Sequence, residues 1–163
     1  MYRPSRQVGT VFFEATVNCM FFINIAINYS MVISDKPINA KEILDAAKNI
    51  LLIDLPNADV PGILLGEGFT VFCYSPGRYT RAKIEKDRLV FRELDSIPGP
   101  IDIVNVYRPE QEHPDIISQH VIPLGAKVVW LHPPIISEKT RSLTAKHGLT
   151  LVEGISITEV ARM

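Results

Sequence analysis

From residue 37 onward, the hydrophobic positions fall into short apolar runs separated by helical periods and turn residues. Ala40 to Ala47 sets Ile43, Leu44 and Ala47 at helical spacing behind Asn39, a predicted N-cap. Ile50 to Ile53 is a continuous apolar run, the pattern of a strand buried on both faces. After the loop Asp54 to Asp59, Val60 to Glu67 reads as a short helix, with Pro61 in its first turn and Gly68 at its end. Phe69 to Tyr74 is the next strand, closed by Ser75-Pro76-Gly77. Residues 78–88 are polar and match no element, and Leu89 to Phe91 reads as a short strand. A turn from Ile97 to Pro100 leads into a strand from Ile101 to Tyr107. Pro109 opens a helix with Ile116, Ile117 and Val121 on its apolar face, ended by Pro123 and Gly125. Lys127 to Leu131 is another buried strand, and Ser137 caps a helix that runs to His147. Thr150 to Val152 is a last strand, and Ser156-x-x-Glu159 is a capping box opening a short final helix.

Apolar strands alternating with helices predict an α/β domain whose mainly parallel sheet has five to six strands. Such sheets bind ligands outside the carboxyl ends of their strands, where the strand order reverses. That places function at one edge before any motif is named.

The pattern before residue 37 is different. Residues 15–34 carry no charge, and Arg3 and Arg6 precede them. An accessory extension covering residues 1–37 fits this composition. So does a half-buried strand, since Ile23, Ile25, Ile27 and Tyr29 alternate with smaller or polar residues. A signal or anchor is the third reading, opposed by Asn18, Asn24 and Asn28 within the run. The domain proper is expected over residues 38–163.

Composition narrows the function classes. A formal charge of -1 over 163 residues gives no pull toward nucleic acid or an anionic membrane. The two cysteines, Cys19 and Cys73, show no metal-type spacing, and a reducing cytoplasm is the expected location. His113, His120, His132 and His147 are scattered over different elements, so no metal site is expected. Cys73 reads as an inert thiol in an apolar strand, and Asp102, near a strand start, as structural. Motifs for hydrolase, phosphate-loop, zinc-protease and dinucleotide chemistry are missing. An enzyme would have to rest on His132 beside Arg108, so no catalytic residue is expected.

The stretches IPGPIDIVNVYRPEQ, GAKVVWLHPPI and AKHGLTLVEGISITEVARM, in that order, resemble the CoA-binding protein family. The family consists of small relatives of the CoA-binding domain of succinyl-CoA synthetases. The resemblance covers the chain from about residue 38 and implies a Rossmann-like, three-layer domain. It also implies a ligand of nucleotide type, CoA or a related adenine nucleotide, held without catalysis. A homodimer is left open.

The resemblance places the ligand-binding positions at Asp54, Leu55, Pro56 and Asn57 in the first loop, and at Ser75, Pro76, Gly77 and Arg78 after the second strand. Tyr107 and Arg108 match the family's aromatic-Arg pair, and His132 and Pro133 close the edge. Trp130 matches a family tryptophan and is expected in the core. Two departures fall on this edge. The first loop has no glycine and carries Asp54 and Asp59, which would repel a pyrophosphate by several tenths to a few kcal/mol. Either carboxylate could instead serve a ribose hydroxyl or cap the helix, and Asp59 is placed as an N-cap. Pro133-Pro134 replaces a more flexible turn, and Arg108 has Glu110 and Glu112 as alternative partners. These departures support a second reading, a CoA-binding fold that has lost its ligand and acts in protein association.

Overall fold

The four apolar side chains from Ile50 to Ile53 cannot all be hidden by one layer, and the fold covers both faces of their strand. The computed structural model describes residues 39–163 except 56, 58 and 97. The expectations for residues 1–37 therefore lie outside the described residues. Among the described residues the chain runs α1 (Ala40–Asp45), β1 (Asn49–Ile53), α2 (Asp59–Gly66), β2 (Thr70–Ser75), β3 (Arg78–Glu85), β4 (Arg88–Glu93) and β5 (Ile103–Val106). A 3-10 turn (Glu110–Glu112), α3 (His113–Ile116) and a π-helical turn (Ile117–Val121) follow, then β6 (Val128–Leu131), α4 (Glu138–Lys146), β7 (Thr150–Val152) and α5 (Ile157–Ala161).

The strands form one seven-stranded sheet in the order β4-β3-β2-β1-β5-β6-β7. β1 pairs in parallel with β2 and β5, and β6 in parallel with β5 and β7, while β3 is antiparallel to β2 and β4. The expected α/β class and mainly parallel sheet are present, but the count of five to six strands is too low. The correction is β3, which occupies residues 78–85, where the sequence had matched no element. Its side chains are exposed or half-buried except for buried Ala82, so neither the buried-strand nor the amphipathic template fits. Lys86 and Asp87, both at positive φ (49° and 59°), make the two-residue turn that joins it to β4.

Alternate strand residues feed two cores. Ile50, Leu52, Val71, Ile103 and Trp130 pack with Leu44 of α1, Leu64 of α2 and Ile157 of α5. Leu51, Ile53, Val104, Val106 and Leu131 pack on the other face with Ile116, Ile117 and Val121. This is the three-layer arrangement. No helix among the described residues is long and apolar enough to cross a membrane.

Local expectations hold at several ends. Asn39 Oδ1 accepts from the N–H of Lys41, and Ser137 Oγ from that of Thr140. Asp102 Oδ2 accepts from the N–H groups of both Lys48 and Asn49 at 2.8 Å, tying the start of β5 to that of β1. Trp130 is fully buried and donates its indole N–H to the Ile155 carbonyl. Cys73 is buried, and burial pushes its thiol up to about 12. One cap differs: Asn57 Oδ1 accepts from the Asp59 N–H, so the capping side chain at the start of α2 belongs to Asn57, and Asp59 lies inside the helix. Asparagine two residues upstream satisfies the N–H of Asp59 itself by an Asx turn.

Candidate functional site

From β1 the chain moves outward through β2, β3 and β4, then returns to place β5 on β1's other side. The β1–β5 boundary is therefore the topological switch point, and its crevice lies beyond Ile53 and Val106. Asp54 leaves β1 with φ 65°, a left-handed backbone that aspartate tolerates better than most residues. Across the crevice, Tyr107 and Arg108 leave β5 with their side chains on opposite faces of the sheet, as strand alternation requires.

Each of the three Arg108 guanidinium nitrogens has a carboxylate partner. Its Nε and Nη2 donate to Glu112 in a fork at 2.7 Å each, and Nη1 donates to Asp54 Oδ2 at 2.9 Å. Of the two partners named from sequence, Glu112 is correct. Glu110 instead accepts from Ser137, and Asp54 is the added partner. The Arg108 hydrogen bonds hold the Glu112 carboxyl below its usual range. Beneath the pair, buried His113 bridges the Arg108 carbonyl (2.9 Å from Nε2) and the Thr140 hydroxyl, which anchors the backbone that carries the guanidinium.

A cleft of about 220 Å³ opens beside this cluster, lined by Asp54, Tyr74, Pro76, Arg108, Asp115 and His120 among others. Its volume is below the roughly 300–1,000 Å³ of pockets that enclose a drug-sized ligand, so it suits one part of a CoA-sized molecule. The Tyr74 and His120 rings lie 4.2 Å apart and the Tyr79 hydroxyl is 2.6 Å from His120 Nδ1, which gives the cleft an aromatic wall.

His132 belongs elsewhere. It packs on Tyr107 with ring centroids 4.5 Å apart, and lines a more open cleft of about 880 Å³ with Asn57, Asp59, Val60, Thr158 and Arg162. His132 and Arg108, the two residues on which an enzyme would have had to rest, leave neighbouring strands toward opposite faces of the sheet and line different clefts. The His132 Nδ1 and the Tyr107 hydroxyl are buried without a partner among the described residues.

Leu55, Ser75 and Arg78 line a third groove of about 380 Å³ with Phe91 and Glu93. Gly77, at φ 91°, makes the β2–β3 turn, and its N–H reaches the Tyr74 hydroxyl at 3.4 Å. Pro133 follows His132 and precedes Pro134 through a cis peptide bond, and Pro56 lies outside the described residues. The predicted positions therefore share one edge but divide among three grooves. Tyr74, Tyr79, Asp115 and His120 were not predicted at the site. The available signal was Tyr74 at a strand's carboxyl end, whereas His120 depends on the register of the distorted helix after Arg108.

Known structures share this architecture. A Thermus thermophilus protein, cell-free ID.343, superposes with a TM-score of 0.60 at 22% identity, covering 76% of this chain and 97% of its own. Prb, a protein redesigned for binding, gives 0.58 at 23% identity, covering 74% and 86%. A hypothetical protein from Pyrococcus horikoshii OT3 gives 0.56 at 20%, covering 76% and 87%. At these identities the likeness is one of fold. The sequence profile of the CoA binding domain matches residues 54–159, which begin at Asp54 itself and span the whole ligand edge, and on that match the chain belongs to the CoA-binding domain family.

Proposed function

We propose that the protein is a module that binds CoA or a related adenine nucleotide without transforming it. The observation that carries this reading is the family match over residues 54–159 laid on a real crevice, with Arg108 and an aromatic wall at the switch point. One end of the ligand enters the cleft beside Arg108, and the rest runs over the neighbouring grooves. The non-catalytic part rests on the separation of His132 from Arg108, which leaves the candidate acid–base group in a different cleft from the candidate phosphate group. Turnover of a CoA thioester that disappears in His132→Ala would overturn it.

The test is a thermal shift of the full chain with CoA, acetyl-CoA, NAD, ATP and AMP. Binding to the folded state alone raises its stability, so a concentration-dependent rise is expected with CoA compounds or adenine nucleotides. The second reading, a CoA-binding fold retained for protein association, is favoured by one observation: the Arg108 guanidinium is already held by two carboxylates. No shift with any of the five compounds at millimolar concentration would select it.

A further inference from the structure

The two oxygens of Asp54 take the donors that a phosphate would use at this place. Oδ1 accepts from the Leu55 N–H at 3.0 Å, and Oδ2 from Arg108 Nη1 at 2.9 Å. A backbone N–H where the first strand ends and a guanidinium facing it across the crevice are donors suited to a phosphate group. We propose that Asp54 sets ligand specificity at this cleft: its carboxylate stands in for a phosphate between Leu55 and Arg108, and a phosphate-bearing ligand must displace it. The inference rests on the proposed binding of CoA or an adenine nucleotide.

Three observations support it. Glu112 takes Nε and Nη2 of Arg108, so Asp54 holds the one guanidinium nitrogen that Glu112 leaves. The side chains of Arg108 and Asp54 are 41% and 45% exposed, so the contact is screened by water and exchangeable rather than locked. And Asp54 adopts φ 65°, a conformation asparagine and glycine also take, so the carboxylate can be removed without forcing the backbone to move. Glu67, exposed just beyond α2 and lining none of the three grooves, separates this role from the general effect of negative charge.

The experiment is titration calorimetry of the full chain with CoA, ADP and adenosine, on the natural protein, Asp54→Asn, Asp54→Gly and Glu67→Gln. Asp54→Asn is expected to tighten CoA and ADP by at least about fivefold, and Glu67→Gln by less than about twofold. Adenosine, which has no phosphate, is expected to gain nothing from Asp54→Asn. Asp54→Gly supplies the same comparison should the asparagine variant fold poorly. If the natural protein binds CoA and neither Asp54 variant binds it better, the specificity role is wrong while the binding function stands. Equal gains from Asp54→Asn and Glu67→Gln would reduce the effect to overall charge and overturn the proposal. If neither the natural protein nor any variant binds a ligand, the binding function and the role of Asp54 fall together.

Discussion

The Tyr79 hydroxyl lies 2.6 Å from His120 Nδ1, joining β3 to the π-helical turn across the wall of the small cleft. Burial holds the His120 imidazole below its ordinary 6.5, so the folded protein resists a proton that the unfolded chain accepts. His132 is depressed in the same direction by burial, opposed by Glu159. Stability from both groups is therefore complete above about pH 6.5 and declines as pH falls toward their lower folded values. Melting temperature is expected to drop between about pH 7.5 and about pH 5. His120→Phe should make that drop shallower while lowering the melting point at neutral pH; an unchanged slope would clear His120 of the effect.

Asp102 satisfies two backbone donors with one oxygen, so its loss leaves both to find water at a sheet end. Asp102→Ala is expected to destabilise by about 1–3 kcal/mol in urea unfolding, with no loss of ligand affinity once corrected for the folded fraction. A change below about 0.5 kcal/mol would show that solvent replaces the carboxylate at little cost.

His113 is a positioning residue for Arg108. With the imidazole gone, the Arg108 carbonyl and the Thr140 hydroxyl lose their shared partner in a buried place. We expect His113→Ala to cost about 2–3 kcal/mol, and to weaken CoA more than adenosine. Equal weakening of both ligands would mean a general loss of structure.

The Arg108–Glu112 fork sits at the surface, with each side chain 41% exposed, so its geometry overstates its contribution. A double-mutant cycle with Arg108→Ala and Glu112→Ala is expected to give a coupling below about 1 kcal/mol for stability. Arg108→Lys keeps the charge but not the planar fork, and should still weaken CoA binding. Binding undiminished in that variant would remove the need for a guanidinium.

The parts of the fold that were legible in the sequence are those where burial dictates residue type. The runs at Ile50–Ile53 and Val128–Leu131, the caps at Asn39 and Ser137, and the glycine at the end of α2 each state their structure locally. β3 was not legible, because a strand near the open side of a sheet can be polar on most positions, and its Lys86-Asp87 turn lacks the Asn-Gly signal. At the site, Arg108 and its acidic neighbour Glu112 were visible at i,i+4 spacing. The contact of Asp54 with Arg108 joins positions 54 residues apart, and no periodicity encodes it. The division of the edge into separate grooves was equally hidden, since it depends on which face each strand-end residue takes.

Cys73 offers a clock. Its residue sits in β2 at 3% exposure, keeps its proton at neutral pH and lines the groove of Leu55 and Ser75, so a thiol reagent must wait for a local opening there. With Cys19 replaced by serine, the rate of alkylation would time how often that groove opens onto the sheet, read through a single atom.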